Sequence, residues 1–288
     1  MADERFGFIG LGNMGQPMAR HVSEAGHELI VHDLAGTADR APKGAGTAQS
    51  NSELIRRCSV IALSLPTVDA NRAVVEEIVA AGTAGSVIID TCTIGAQAAA
   101  ENAAKLKVAG IGYVDAPVSG LKARAEEGTL ASMVAGGEED VARARDLIES
   151  YSRVMFVVGR EAGQGQRMKV VNNAIYISAL VAVSEALSYG ERGGLDLQTM
   201  LEVINASSGK CLATEQVFPA YMTSDPPKVS GAEALVLKKD LSLFVDGAES
   251  DGTENAAISR AFETIAAFSD ADPRQDMTEI FGFIKKGH

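Results

Sequence analysis

Phe6-Gly7-Phe8-Ile9-Gly10-Leu11-Gly12-Asn13-Met14-Gly15 is the stretch whose reading decides the fold. Arg5 to Ile9 has the short, apolar character of a buried strand, and Gly10 to Gly15 form a G-x-G-x-x-G. A helix follows, with Pro17 in its first turn, where a missing N–H is tolerated, and with Met18, Ala19 and Val22 on one face. His27 to Asp33 reads as a second strand that ends in an acid. A lone G-x-G-x-x-G is a weak signal. Between a strand and a helix, with an acid closing the next strand, it has the context of a dinucleotide site. The glycines allow a tight turn and close backbone approach, and the helix N-terminus offers free N–H groups to a pyrophosphate. Gly10, Leu11, Gly12, Asn13, Met14, Gly15 and Asp33 are therefore the candidate cofactor residues. Asp33 can accept hydrogen bonds from both adenosine ribose hydroxyls, and its charge would repel a 2′-phosphate. Leu34, not an arginine, comes next, so NAD is expected and NADP is less favoured.

Working outward, the alternation continues. Val60–Ser64 is a strand that breaks at Leu65-Pro66-Thr67; Ser86–Asp90 runs into Thr91–Gly95; Gly112–Asp115 runs into Ala116-Pro117-Val118-Ser119-Gly120. Helical patterns at Asn71–Ala81, Ala96–Lys107 and Glu138–Tyr151 separate the strands, and Ser132–Ala135 and Val154–Val158 read as closing strands. This pattern specifies an α/β fold with a doubly wound parallel sheet of Rossmann type. In such sheets ligands bind at the carboxyl ends of strands, where these turns lie. After Gly193-Gly194 the alternation stops: Leu197–Asn205, Thr214–Met222, Glu233–Ala248 and Ala256–Ala267 carry helical spacing. We expect a dinucleotide-binding domain over 1–162 and an all-α domain over 163–288, the latter opening with one long helix at about 164–193.

That helix holds the second informative stretch, Gly163-Gln164-Gly165-Gln166-Arg167-Met168-Lys169-Val170-Val171-Asn172-Asn173. Met168, Val171, Ile175, Ala179, Val183 and Leu187 recur at three- and four-residue steps, and Ile177, Leu180, Val181 and Ala186 fill much of the rest. A helix apolar almost all round is expected to be buried. Into it the sequence sets one lysine and two asparagines; Lys169 shares a face with Asn172 and Asn173. A buried lysine is costly unless something pairs or uses it. The bland reading is a lysine near a helix end snorkelling to water; the chemical one is a catalytic group.

Composition narrows the classes. Apolar residues make up 46 % and charged ones 22 %, which suits an ordered globular chain. A formal charge of −12 argues against nucleic acid as a partner, and any anionic substrate must be met by local positive groups. Cys58, Cys92 and Cys211 are scattered, which suits a reducing, cytoplasmic setting without disulfides. The histidines form no H-x-x-x-H pair, so no metal site is expected. No signal peptide is read at the N-terminus, and no apolar run is read as approaching a membrane span, so no membrane partner is expected. A small α domain on one long helix can hardly complete a core alone, so a homodimer or homotetramer is expected.

Four stretches stand together: the fingerprint, Asp115–Gly120, Gly163–Asn173 and Lys239-Asp240-Leu241-Ser242-Leu243. With these spacings the whole chain resembles the β-hydroxyacid dehydrogenase family, which includes 3-hydroxyisobutyrate dehydrogenase and tartronate semialdehyde reductase. Phe8 to Gly15, on to Pro17-Met18-Ala19, looks like the family's N-terminal signature; Asp115–Gly120 with Gly128-Thr129-Leu130 looks like its substrate signature. The resemblance implies that Ser119 and the N–H groups at Gly120 and Leu121 hold a small carboxylate substrate. It implies that Lys169 exchanges the proton of the reacting oxygen, with Asn173 orienting lysine and substrate and Asn172 supporting it. Thr93, Leu65 and Pro66 would lie along the nicotinamide half of the cofactor, and Lys239 would reach the same end. The activity implied is NAD-dependent oxidation of a short 3-hydroxy acid to its semialdehyde, or the reverse.

Leu121 departs from the family's pattern, which has glycine after Ser-Gly. Glycine's backbone freedom is lost and a side chain is added beside the carboxylate site, which puts the usual small substrate in doubt. Lys122 and Arg124 read as solvated charges paired with Glu126 and Glu127, with Arg124 the candidate for a second anionic group on the substrate. Two other readings stay open: a reductase of a related carbonyl or imine, against which Lys169 speaks, and a non-catalytic dinucleotide-binding redox sensor, in which Ser119, Lys169 and Asn173 would have no purpose.

Overall fold

The structure is a computed structural model and describes residues 4–223 and 232–287. The chain packs as two compact units, Met1–Lys169 and Val170–His288.

The first unit opens with β1 (Phe6–Ile9), α1 (Gly15–Glu24), β2 (Leu29–His32), β3 (Gly46–Thr47), α2 (Asn51–Arg57) and β4 (Val60–Leu63). It continues with α3 (Val68–Ala81), β5 (Val87–Asp90), α4 (Ala96–Val108), β6 (Gly112–Asp115) and β7 (Val118–Ser119). It closes with α5 (Leu121–Glu127), β8 (Leu130–Gly136), α6 (Glu138–Tyr151), β9 (Ser152–Gly159) and the first turns of α7 (Gln164–Arg192). The strands order as β3-β2-β1-β4-β5-β6-β8-β7, with β9 on β8. From β3 to β6 every pairing is parallel.

Successive strand residues face opposite layers, as the period of two requires. Phe6, Phe8, Val60, Ala62, Val87, Ile89 and Val114 join one core with α1 and α6. Ile9, Ile61, Leu63, Ile88 and Tyr113 join the other with α2, α3 and α4. Both faces of β1, β2, β4, β5 and β6 are thus dry, and these strands read as short apolar runs.

The expected sheet is doubly wound and parallel; beyond β6 it turns mixed. β8 runs antiparallel to β6 and β7, which share one of its sides, while β9 lies parallel along the other. The physical cause is connection length. A parallel neighbour needs a crossover of a dozen or more residues, and β7 reaches β8 through α5 and one glycine turn. The short elements β3, α2 and α5 carry too few residues to show a period, and none was expected.

The second unit is built of helices, with one isolated β-bridge, Glu233 to Asp276, among its described residues. After α7 come α8 (Leu197–Asn205), a π-turn at Ala213–Val217, α9 (Phe218–Thr223), α10 (Ala234–Asp251), α11 (Ala256–Ala271), a 3₁₀ turn at Met277–Glu279 and α12 (Ile280–Lys285). Ala174, Ile177, Leu180, Val181 and Leu187 of α7 pack with Leu201, Phe218, Leu237, Leu241, Ile265, Phe268 and Ile280.

Two readings of α7 need correction. Met168, Val171 and Ile175, expected on its buried face, are exposed on this chain. The covered face runs through Gln166, Lys169, Val170, Asn173, Ala174, Ile177, Leu180 and Val181. Both stripes are apolar at helical spacing, so periodicity alone does not say which one meets the chain's own core. The helix is also long and apolar enough, by length and composition, to cross a bilayer, contrary to the expectation that no run approaches that length. A core helix meets the same criteria, and the covered face of α7 carries amide and ammonium groups.

Candidate active site

The carboxyl ends of β1, β4, β5 and β6 lie side by side in the sheet and carry most of the candidate residues. At β1, Gly10 N–H donates to His32 O at 2.9 Å. A methyl carbon on Gly10 would lie 2.2 Å from the Ser64 carbonyl oxygen, and one on Gly15 2.0 Å from that of Gly10. Side chains at either position are excluded by backbone. At Gly12 nothing of the chain lies within 4 Å, and Gly12 and Asn13 are exposed. The middle glycine thus borders open space beside the start of α1, whose N-cap residue Met14 supplies no side-chain hydrogen bond to the first turn. This is a cradle a pyrophosphate fits: free N–H groups at a helix N-terminus with no Cβ in the way.

Asp33 follows β2. Its Oδ2 accepts from Leu11 N–H at 2.6 Å and its Oδ1 from Ala35 N–H at 2.8 Å, so the acid also ties down the glycine loop. Leu34 is 97 % exposed. The cation beside Asp33 is Arg40, with Nη1 3.5 Å from Oδ1. Arg40 lies seven residues further on, in a loop whose path the sequence pattern does not reveal.

After β4, Leu65 N–H points at Cys92 Sγ, 3.1 Å away. After β5 comes the loop Thr91–Gly95, with Thr93 half-buried. Beneath it is a buried polar network that the sequence reading missed. Asp90 accepts from Asn71 Nδ2 (2.8 Å), Tyr113 Oη (2.9 Å) and Cys92 N–H (3.1 Å), and Asn102 Nδ2 donates to Asn71 Oδ1 at 2.7 Å. Burial pushes the Asp90 carboxyl above its ordinary range and the Cys92 thiol well above its own, so Cys92 is an inert, protonated thiol.

Beyond β6, Ser119 sits half-buried at the end of β7, in register with Ala131 of β8. Gly120 has φ +146° and Leu121 has φ +59°. Leu121 is the one described non-glycine residue with positive φ. A branched side chain in this region is strained, and such strain gathers at ligand-contacting turns. Lys122 pairs with Glu126 at 3.5 Å, as expected of a solvated charge. Arg124 does not: no carboxylate among the described residues pairs with it, and its Cβ and Cδ lie over Gly120.

The first turn of α7 is pressed onto these strand ends. A Cβ on Gly163 would lie 2.7 Å from the Ala96 carbonyl oxygen, and one on Gly165 2.5 Å from that of Met133 and 2.8 Å from Asp115 Oδ2. Gln166 is wholly buried and uses all its polar groups. Its N–H donates to Asp115 Oδ2 (2.8 Å), its Nε2 to Cys92 O (2.9 Å), and its Oε1 accepts from the N–H groups of Ile94 (3.0 Å) and Gly95 (3.3 Å). Lys169, 9 % exposed, follows one turn later on the same face. Further along α7, Asn173 Nδ2 donates to Asp240 Oδ2 at 2.7 Å and its Oδ1 accepts from Asn172 Nδ2 at 3.1 Å. The buried Asp240 also pairs with Lys239 at 3.0 Å. Among the described residues no group of three or more His, Cys, Asp or Glu is placed to hold a metal.

Residues 5–159 match the NAD binding domain of 6-phosphogluconate dehydrogenase, and residues 163–284 match the NAD-binding domain of NADP-dependent 3-hydroxyisobutyrate dehydrogenase. The mitochondrial 3-hydroxyisobutyrate dehydrogenase of Mus musculus is 31 % identical, over 97 % of this chain and 87 % of its own. A probable 3-hydroxyisobutyrate dehydrogenase of Mycobacterium bovis is 33 % identical over 91 % of each chain. The solved structure of Mycobacterium tuberculosis 3-hydroxyisobutyrate dehydrogenase with L-serine superposes with a TM-score of 0.88 at 29 % identity, covering 98 % of this chain and 99 % of that one.

The chain belongs to the β-hydroxyacid dehydrogenase family. It is an NAD-binding oxidoreductase that acts on the CH–OH group of a hydroxyacid. In this β-hydroxyacid dehydrogenase Gly10, Gly15, Gly163 and Gly165 answer to one physical demand, backbone against backbone. Leu121 is the place where the chain accepts strain instead.

Asp115 has a measurable consequence for this dehydrogenase. Burial pushes its carboxyl up to about 7, opposed by the N–H groups of Gln166 and Gly163 and reinforced by the charge of Asp90. Its ordinary value is 3.8, so between these values the folded chain holds a proton the unfolded chain has lost. The associated stability is fully present below about pH 4 and is lost as the pH rises through about 7. An Asp115→Asn variant, which does not ionise, should gain on the parent over that window. Urea unfolding of both proteins from about pH 4 to about pH 8 measures the difference; a difference independent of pH would detach this carboxyl from folding.

Proposed function

We propose that this enzyme oxidises a short 3-hydroxy carboxylic acid to the 3-oxo acid with NAD, or runs the reverse reduction, with Lys169 as the proton-transfer residue. The observation that carries the reading is Lys169 itself: a lysine buried on the covered face of α7, one turn beyond a Gln166 fastened to the carboxyl ends of β5 and β6. When bound, the cofactor takes up or delivers hydride. The chain's own residues do the rest. Gly10–Gly15 and Asp33 hold the dinucleotide, and Leu65, Pro66 and Thr93 border its nicotinamide half. Ser119 Oγ and the N–H groups at Gly120 and Leu121 bind the substrate carboxylate. Lys169 Nζ donates a proton to the forming hydroxyl in reduction and assists its removal in oxidation. With Asn173 Nδ2 given to Asp240, Asn173 offers an acceptor oxygen on the face of α7 that carries Lys169.

The substrate class follows from the same loop. A neighbour of this chain was solved with L-serine, a small 3-hydroxy carboxylate, which supports a 3-hydroxy monocarboxylate as the minimal substrate. Leu121, strained and bulky beside Ser119-Gly120, favours a substrate other than 3-hydroxyisobutyrate itself. Arg124, folded over Gly120 without a carboxylate partner among the described residues, is the group to meet a second acid on the substrate.

Lys169→Ala should lower turnover by roughly 10²–10⁴-fold while leaving NAD affinity nearly unchanged, the usual worth of a positioned acid–base group. Steady-state assays at 340 nm with an NADH fluorescence titration decide it; turnover within a few-fold of the parent would take Lys169 out of the mechanism.

NAD should be used better than NADP. Because Arg40 already stands beside Asp33, Asp33→Asn alone should raise kcat/KM for NADP relative to NAD by about tenfold or more. An unchanged ratio would mean that Asp33 does not discriminate.

A panel of 3-hydroxy mono- and dicarboxylates tests the substrate loop. Leu121→Gly should shift preference toward 3-hydroxyisobutyrate by roughly tenfold, the scale of a small change in pocket volume. Arg124→Ala should reduce activity on dicarboxylates more than on monocarboxylates. If 3-hydroxyisobutyrate is already the best substrate of the parent by a wide margin, Leu121 is a silent replacement.

A further inference from the structure

We propose that Gln166 is a positioning residue that locks the loop Thr91–Gly95 and the turn of α7 bearing Lys169 into one rigid piece. Through it, the spacing between the nicotinamide side of the site and the proton-transfer group is set. This rests on the reading of Lys169 as that group.

The argument is geometric. Gln166 holds four hydrogen bonds, to Asp115 Oδ2, Cys92 O, Ile94 N–H and Gly95 N–H, and none of its surface is open to solvent. Three of the four end on Cys92, Ile94 and Gly95, which flank Thr93. The fourth ends on the last residue of β6, four positions before Ser119. The bond to Asp115 comes from the backbone N–H; a side chain used only to fill the first turn of a helix would need none of the other three, and an apolar one would fill the space at lower desolvation cost. Gln166 and Lys169 are three residues apart on one helix, so a rotation or slide of the first turn moves both. Gly163 and Gly165 leave no slack beneath that turn. Hydride and proton leave or arrive at adjoining atoms of one substrate, a carbon and its oxygen. A misplacement of about 1 Å between the groups that receive them costs on the order of 10²-fold in rate.

Gln166→Leu keeps the volume and removes the side-chain bonds. Its kcat should fall by roughly 10–10²-fold, with substrate KM and the NAD dissociation constant within about threefold of the parent. Displacement of bound, fluorescent NADH by NAD reads the last quantity. Gln166→Glu is the sharper test, because a protonated glutamic acid reproduces the glutamine: its C=O accepts from Ile94 and Gly95, and its O–H donates to Cys92 O. The ionised form repels that carbonyl. The titratable groups on the elements packed around position 166 are Asp115 and Tyr113 on β6, Asp90 and Cys92 at the end of β5, and Arg167 and Lys169 on α7 itself. The kcat of Gln166→Glu relative to the parent should therefore rise at least about fivefold as the pH is lowered from about 8.5 to about 6, whereas a purely space-filling role would leave that ratio flat.

Lys169→Ala, assayed in parallel, separates the two ideas. If Lys169→Ala keeps parental turnover, the proton-transfer reading falls and this inference with it. If Lys169→Ala is inactive while a folded Gln166→Leu turns over like the parent, only the positioning role falls. Should Gln166→Leu not fold, the pH ratio of Gln166→Glu decides: a rise toward acid supports the proposal, and a constant ratio overturns it.

Discussion

The first turn of α7 lies against the loop after β5, the start of α4, the carboxyl end of β6 and the middle of β8, with no room for a Cβ at Gly163 or Gly165. That contact is the constraint on which the rest depends. A helix N-terminus brings backbone N–H groups without intrahelical partners, and burying one unpaired costs about 1–3 kcal/mol. Asp115 answers the N–H of Gln166, and the Gln166 side chain in turn answers two N–H groups and a carbonyl of the loop after β5. The helix therefore starts at one place and in one rotation. Lys169, three residues on, inherits its position from that fastening.

Much of this could be read in the residues. Strands buried on both faces are short apolar runs, and glycine-rich turns mark their ends, so β1, β4, β5 and β6 and the fingerprint were visible. Lys169, Asn172 and Asn173 stood out because polar groups in an apolar helix are conspicuous. What stayed hidden is what depends on distance along the chain. Asp115 and Gln166 are ordinary in their own segments, and their meeting is a tertiary fact. The same holds for Asp240 with Asn173, and for Arg40, brought to Asp33 by a loop. The identity of Leu121 was a flag, but its left-handed backbone was not in the letters. Of the two apolar stripes on α7, composition could not say which one the chain itself covers.

The electrostatics are correspondingly local. A chain with formal charge −12 offers an anionic substrate no general attraction. The basic side chains near the strand ends are few: Arg40 beside Asp33, Arg124 over Gly120, and Lys169 on the covered face of α7. Against these stand two buried acids at neighbouring strand ends, Asp90 and Asp115, both held toward their protonated forms by burial. Asp90 accepts three hydrogen bonds and Asp115 takes the Gln166 N–H, so together they stiffen this end of the sheet without adding a full pair of charges to it.

The clearances around the glycines also divide the site by how freely it can drift in sequence. Gly10, Gly15, Gly163 and Gly165 are blocked by main-chain oxygens, and backbone does not move aside as a side chain would. Any lineage, natural or made in a laboratory library, has to carry these four positions unchanged. The segment from Ser119 to Arg124 is built the other way. Its neighbours at Gly120 are side-chain atoms of Arg124 and Leu130, not main-chain oxygens, and it already holds a leucine at a positive φ. Sequence variation should accordingly be borne more readily by that segment than by the seat of α7.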